Sequence, residues 1–416
     1  MKNRIIFIIT AIFTFNLNAQ NPTTIVPDAD SRVITTGMPF LLIAPDARAA
    51  GMGDMGVATS VDAFSQKWNP AKYVFSEAKS GVSLSYTPYL SKLVNDIGVG
   101  YVSYFNRINE QSAVGASLTY FSLGEIEFRE TADDVPLIQK PNEFALDLSY
   151  TLRLSDQFGM AVAMRYLRSD LKIRDNSNVE TDPASTFGVD ITGFYQSEEE
   201  AYNDFNGRWR MGFALQNLGP TFTYTDGGPD NFQPTTLRLG AGFDFIFDQY
   251  NTLAVTAEFT KLLVPTPPVT GTEREFNDDN GNGVYEPEDG ETLGAVVDDR
   301  VIIDGQENRD VSFISGIFQS FGDAPGGFKE ELQEFTYALG AEYKYQDAFA
   351  FRAGYFNEHE EKGARKFFAL GAGFKYNVVN VDLSYLFSAS KIQSPLESTL
   401  RFSLTFNLGA GTYSEY

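Results

Sequence analysis

Residues 237–247 read Leu-Arg-Leu-Gly-Ala-Gly-Phe-Asp-Phe-Ile-Phe. Leu237, Leu239, Ala241, Phe243, Phe245 and Phe247 take every second place, with Arg238, Gly240, Gly242 and Asp244 between them. A period of two belongs to a β-strand whose faces meet different surroundings. The next stretch repeats it, with Leu253, Val255, Ala257 and Phe259 against Thr252, Ala254, Thr256 and Glu258. Further along, Phe335, Tyr337, Leu339, Ala341 and Tyr343 oppose Thr336, Ala338, Gly340, Glu342 and Lys344. Near the end, Leu400, Phe402, Leu404, Phe406 and Leu408 oppose Arg401, Ser403, Thr405 and Asn407.

Working outward, fourteen such segments emerge: 80–90, 95–105, 111–123, 142–154, 157–169, 184–196, 207–218, 234–247, 250–261, 333–345, 348–356, 364–376, 378–389 and 396–408. After even-numbered segments the connections are mostly tight, as at Ser155-Asp156, Asp248-Gln249, Gln346-Asp347 and Asn377. After odd-numbered ones several are long, at 124–141, 170–183, 219–233 and 262–332. An even strand count with short turns on one rim and long loops on the other is the layout of an outer-membrane barrel, whose long loops face outside. A soluble sandwich does not require that parity, and it would need one core able to bury the Phe, Leu and Tyr of nearly every segment. Tyr86, Tyr89, Tyr101, Tyr104, Tyr120, Tyr150, Tyr166, Tyr345, Tyr355, Tyr376 and Tyr385 near segment ends suit aromatic girdles at the two membrane interfaces.

Composition narrows the function. The 416 residues hold 55 Asp+Glu against 32 Lys+Arg, a formal charge of −23, with one His and no Cys. So acidic a chain has no footprint for nucleic acid. Zero Cys excludes disulfide scaffolds, Cys-based zinc sites and Cys nucleophiles. Residues 1–19 have a basic start at Lys2 and Arg4, an apolar core from Ile5 to Phe15, and Leu17-Asn18-Ala19 before Gln20, which reads as a secretory signal peptide. No later apolar run is long enough for a helical span, so insertion must use a closed sheet. The expected architecture is therefore all-β: a transmembrane antiparallel β-barrel of 14 strands over 80–416, preceded by a segment at 20–79.

That segment lacks sustained alternation. Gly51, Gly53 and Gly56 match G-x-G-x-x-G, yet no βαβ unit surrounds them, so dinucleotide binding is a poor reading. The small residues from Ala47 to Ala58 suit backbone lying close against a wall. The run Ala47-Arg48-Ala49-Ala50-Gly51-Met52-Gly53, then Gly56-Val57-Ala58 and Lys67-Trp68-Asn69-Pro70-Ala71, resembles the N-terminal signature of outer-membrane barrels related to the fatty-acid transporter FadL. Within that group, and with Val33-Ile34-Thr35-Thr36-Gly37, the chain is most similar to the PorV family of type IX secretion. The Asn-Pro-Ala element is shared across FadL-like barrels and marks the fold group more sharply than the role. The resemblance implies an N-terminal hatch segment inside the lumen, carrying Gly51, Gly53, Gly56, Trp68, Asn69, Pro70 and Ala71, and long extracellular loops. It also implies a carrier that takes secreted proteins bearing a conserved C-terminal β-domain from the SprA translocon to the PorU-containing attachment complex. The alternative is a FadL-type uptake channel for hydrophobic small molecules.

Four constellations could carry chemistry. Asp278, Asn280, Asn282, Val284, Glu286 and Asp289, with Gly283, occupy positions 1, 3, 5, 7, 9, 12 and 6 of a calcium loop. Hard Ca²⁺ takes such oxygen donors, though Asp closes the loop where an EF-hand has Glu. The other reading is a solvated acidic loop. Val311, Phe313, Ile314, Ile317, Phe318 and Phe321 fall on one helical face, for packing on the rim, for touching lipid or for contact with cargo or a partner. His359 is the single imidazole, in a short loop after the eleventh segment, and an esterase would need it aligned with a Ser, so no enzyme is expected. Asp147, Arg153, Arg165, Asp190, Arg238, Asp244, Glu258, Glu342, Lys344, Asp382 and Arg401 fall on the inward face with mixed sign. They are expected to pair with one another and hold the hatch, the rival being a charge-lined pore.

Overall fold

A computed structural model describes residues 22–28, 31–90, 94, 96–129, 136–171, 183–225, 227–308, 311–389 and 399–409. The signal-peptide reading of 1–19 lies outside them. Two compact units are present, one joining residues up to Asp30 with Val269–Asp304, the other Ser31–Pro268 with Gly305–Tyr416.

The larger unit is a closed barrel. Its strands are β1 (Ser80–Pro88), β2 (Ile97–Arg107), β3 (Ser112–Leu123), β4 (Asn142–Arg153), β5 (Phe158–Asp170), β6 (Ala184–Gln196) and β7 (Asn206–Leu218). The ring continues with β8 (Thr236–Ile246), β9 (Asn251–Leu262), β10 (Phe335–Tyr345), β11 (Phe349–Asn357), β12 (Lys366–Tyr376), β13 (Val379–Ser388) and β14 (Leu400–Leu408). Each pairs antiparallel with its sequence neighbour, and β14 pairs with β1 from Ser80↔Leu408 to Tyr86↔Phe402, which closes the ring. Closure leaves no unpaired edge, the condition for sheet in lipid. All fourteen strands lie where the alternation places them, with bounds shifted by a few residues. Turns after even-numbered strands are short, such as 154–157, 247–250 and 346–348, and the longest connection is 263–334.

The two faces separate as the period requires. Leu118, Leu148, Met164, Phe187, Leu239, Phe259, Leu339, Phe351, Phe368 and Phe402 point outward and are exposed, whereas Ser117, Asp147, Arg165, Asp244, Glu258, Glu342 and Arg401 are buried inside. Outward Tyr86, Tyr104, Tyr120, Tyr150, Tyr345, Tyr376 and Tyr385 stay exposed, as girdle rings do. Tyr101 departs from that expectation. It shares the inward face of β2 with Val99, Ser103 and Phe105 and is fully buried, tilted against Phe64 at 6.0 Å between ring centroids. On β2 both faces are apolar, so alternation alone cannot tell which one meets lipid.

The smaller unit is a three-stranded antiparallel sheet in which Thr23–Pro27 pairs with Val269–Phe276, and that strand with Leu293–Asp304. Residues 23–27, counted in the sequence with the 20–79 segment, thus pair with a strand inside the 262–332 connection.

Candidate functional site

Inside the barrel unit, residues 38–78 are almost wholly buried and bond to inward-facing groups all around the ring. Local sequence shapes the segment first. Asp46 caps the short helix α1 (Ala47–Ala50), one oxygen accepting the Ala49 N–H at 2.7 Å and the other the Trp68 Nε1–H at 2.7 Å. Asn69 ends helix α2 (Ser65–Trp68) and caps the 3₁₀ turn Pro70–Phe75, its Oδ1 accepting the Ala71 N–H. The Asn69 amide donates to the Val57 and Gly193 carbonyls at 3.0 and 2.9 Å, tying the turn both to its own segment and to β6. Pro70 opens the turn at a position that needs no N–H, and Ala71 packs with Ala161 and Phe194 on the wall.

The glycines mark where backbone meets wall. A Cβ on Gly354 of β11 would stand 2.1 Å from the Met52 carbonyl carbon, and Gly53, at φ +87°, lies against the Tyr355 backbone. A Cβ on Gly56 would strike Trp68 at 2.2 Å. The expected motif residues Gly51, Gly53, Gly56, Trp68, Asn69, Pro70 and Ala71 are thus one packed unit against the strands.

Charge completes the attachment. Glu342 of β10 accepts Arg48 Nε and Nη2, both at 2.9 Å, and Arg352 Nε at 2.6 Å. Arg48 reaches Asp62 at 2.7 Å and Arg352 reaches Asp382 at 2.7 Å. Glu258 receives the N–H groups of Gly56 and Val57, both at 2.9 Å, and pairs with Arg238. Arg210 binds Asp244 and the Ala58 carbonyl; Arg401 binds Asp54 and the Ala44 carbonyl. Arg165 bridges Asp147 and Asp190. Most of the inward charges singled out in the sequence therefore pair, and several grip the segment. Arg153 instead turns to the Asp156 carbonyl at a strand end, and Lys344, 3.5 Å from Glu342, is partly exposed. Arg48, Arg210 and Arg352 escaped the reading. Strand parity would have found Arg210 and Arg352, but nothing local marks Arg48.

Two cavities of about 420 and 380 Å³ share no lining residue. The first is bounded by Ser60–Phe64, Phe75–Ala78 and turn-end groups such as Arg208, Asp347 and Lys375. The second opens among loop-end groups, with Ile34, Leu42, Ile43, Leu262 and Phe356 beside Arg365.

The remaining candidates lie on the long connections. Helix α3 (Phe313–Gln319) carries the predicted apolar face, which the structure divides: Phe313 and Ile317 are half-buried, while Ile314, Phe318 and Phe321 are exposed. Beyond it, helix α4 (Phe328–Gln333) and its C-cap Glu334 turn three carboxylates inward. Glu330 accepts Lys362 and Arg32, Glu331 accepts Lys261, and the nearby Glu334 accepts Lys261 at 2.6 Å and Lys362 at 3.0 Å. Burial pushes the Glu330 carboxyl up, but bonds from Lys362, the Gly326 N–H and Arg32 outweigh it and hold it at about 2. Burial lifts Asp323 to about 6.

In the smaller unit, Asp278 accepts the N–H groups of Gly281, Asn282 and Gly283, while the side-chain amides of Asn280 and Asn282 both donate to Glu286. The structure thus brings together five of the six proposed ligand positions, while Asp289 sits in the following 3₁₀ turn, Pro287–Asp289. An NH₂ group cannot ligate a cation, so both amides would have to rotate to present oxygen. Among the described residues no group of three or more His, Asp or Glu side chains is placed to hold a metal ion. His359 caps the turn Glu360–Lys362, its Nδ1 accepting the Glu361 N–H at 3.3 Å.

A closed barrel of fourteen strands, apolar outside and charged within, defines a protein of the outer membrane. The family Type IX secretion system protein PorV matches residues 26–269, more than half of the chain. The chain belongs to the PorV family. Solved barrels are similar at low identity. A Pseudomonas aeruginosa FadL homologue is 12% identical with a TM-score of 0.44, covering 91% of this chain and 100% of its own. The Pseudomonas putida toluene transporter TodX is 10% identical with a TM-score of 0.45, over 90% of this chain and 98% of its own. A TodX deltaS2S3 mutant, described as a monoaromatic hydrocarbon channel, is 11% identical with a TM-score of 0.49, over 88% and 98%. No curated protein matches the chain.

Proposed function

We propose that this protein is a non-enzymatic carrier in type IX secretion, its long loops extracellular and its N-terminal segment a hatch that closes the lumen. The observation that carries the reading is the segment itself: residues 38–78 are buried inside the barrel and tied to its strands by two ion pairs, Arg48–Glu342 and Asp54–Arg401, and by hydrogen bonds to Glu258, Arg210, Gly193 and Ser403, which leaves folded protein cargo no path through it. Cargo must then be held on a rim. The 263–334 connection supplies an exposed surface there, where α3 offers Ile314 and Phe318 over half-buried Phe313 and Ile317. The partners in this reading are secreted proteins with a shared C-terminal β-domain, the SprA translocon and the PorU-containing attachment complex.

Affinity purification from native outer membranes in mild detergent, read by mass spectrometry, tests it. Secreted proteins and SprA are expected on the intact chain and to be lost when the 262–332 connection is shortened. Recovery of a long-chain amphiphile and no secreted protein would instead favour uptake of hydrophobic small molecules, the second reading, which the partly apolar 380 Å³ cavity supports.

The Asp278 loop enters the same reading as a weak Ca²⁺ site that orders the small sheet. Calorimetric titration is expected to give a Kd of about 10⁻⁴ to 10⁻³ M, the range of extracellular Ca²⁺ modules, abolished in Asp278→Ala. No heat at millimolar Ca²⁺ would remove the metal and leave a loop held by its own hydrogen bonds.

A further inference from the structure

Helix α4 is amphipathic the wrong way round for water. Its acidic residues Glu330 and Glu331, with the nearby Glu334, are buried, while Phe328 and Leu332, one turn apart, are 78% and 56% exposed. A helix on an aqueous surface buries its apolar stripe and hydrates its carboxylates. The reverse is stable where the outer medium is itself apolar and the inner side holds counter-charges.

Lys261 explains why the carboxylates turn inward. On β9, Thr256, Glu258 and Thr260 face the lumen, so Val255, Phe259 and Lys261 face the other way, toward lipid. Lys261 is nonetheless fully buried, its Nζ within 3.1 Å of Glu331, 2.6 Å of Glu334 and 5.3 Å of the Phe335 ring centroid. The ring of Phe321 lies 5.8 Å from the same Nζ. A cation on the outward face at the end of a strand is thus neutralised by α4 and roofed by two aromatic rings, as charges near lipid must be. Phe335 pairs in register with Lys261 and heads the outward row Tyr337, Leu339 of β10. The exposed apolar surface of Phe321, Phe328 and Leu332 therefore starts where the lipid-facing wall ends.

We propose that α4 and the turn before it form an interfacial anchor, with Phe321, Phe328 and Leu332 immersed in the acyl-chain boundary of the leaflet at the long-loop rim. The occupant of this face is lipid: the wall beside it is already lipid-facing, its three carboxylates are spent on Lys261, Lys362 and Arg32, and the exposed Lys329 next to Phe328 has a stem long enough to carry its ammonium to the headgroup level. The anchor would hold residues 320–334, the end of the connection that leads into β10, at the membrane surface.

The chain has no Cys, so single-Cys spin labels report without background. Phe328→Cys and Leu332→Cys are compared with Leu339→Cys on the outward wall and Glu110→Cys in a short turn, each in the full chain, folded into phosphatidylethanolamine–phosphatidylglycerol vesicles. Power saturation is expected to give both α4 labels the high oxygen and low nickel-chelate access of Leu339→Cys. Adding Lys261→Met is expected to shift the Leu332→Cys label toward the nickel access of Glu110→Cys. Nickel access at α4 equal to Glu110→Cys in the otherwise unaltered chain would place the face in water and overturn the proposal. Low access to both reagents would overturn it in favour of contact with a second copy of the chain.

Discussion

A Gly354→Val chain is expected to keep its barrel and to lose the seating of its N-terminal segment. The hydrogen at this position is all that fits between β11 and the Met52-Gly53 backbone, since a Cβ would lie 2.1 Å from the Met52 carbonyl carbon and 2.3 Å from the Gly53 nitrogen. Neither neighbour is a flexible side chain, so backbone must move. Overpacking of this kind costs about 1–3 kcal/mol, which raises the open population roughly five- to 150-fold. Arg48, Lys67 and Lys72, buried in the seated state, then become sites for trypsin. The measurements are cleavage rate within residues 39–78 and single-channel conductance in planar bilayers, with heat-modifiable migration reporting the intact barrel. Cleavage and conductance equal to the unaltered protein would show that the segment does not close the lumen.

Glu342→Ala is expected to be the most damaging single loss of charge. It strips the shared acceptor from Arg48 and Arg352, leaving Arg48 with Asp62 and Arg352 with Asp382 as their remaining carboxylates. Breaking a buried pair from one side typically costs about 3–5 kcal/mol, because the stranded charge keeps its desolvation penalty. Urea unfolding of the barrel folded into lipid vesicles should show this as a lowered midpoint. Adding Arg48→Met should lower it further, since it takes from Asp62 the guanidinium that still pairs with it. An unchanged midpoint for Glu342→Ala would mean that water reaches and solvates these guanidinium groups. The cavity lined by Arg48, Glu342 and Arg352 is the route by which it would come.

The barrel was legible because lipid outside and polar lumen inside impose one rule on every strand. Leu237 to Phe247 states that rule within eleven residues, and the alternation of short and long connections adds closure. Where both faces are apolar, as around Val99, Tyr101 and Phe105, the rule loses its meaning and Tyr101 was misplaced. The pairing of Thr23–Pro27 with Gly271–Glu275 was out of reach for a different cause. A sheet formed across about 250 residues leaves no local periodic trace in five residues. The Val-Ile run at 301–303 did carry a strand signal that length of loop obscured. At the buried segment, residue types pointed to close packing, and Asn69-Pro70-Ala71 identified the fold group. The partners of Asp46, Glu258 and Glu342 depend on which strand stands opposite, and only the closed ring determines that.

The seam between β14 and β1 also governs the order of events during synthesis. Residues 38–78 emerge early, yet two of their holdfasts, Ser403 Oγ accepting the Ala47 N–H and Arg401 gripping Asp54, are on the last strand to appear. The segment cannot be clamped until the whole cylinder has been made, so the nascent chain passes through a long interval with its greasy rows unpaired. Contacts this distant in sequence form slowly and expose the chain to aggregation. Its maturation should therefore depend on a chaperone that shields open strands until the first and the last can meet.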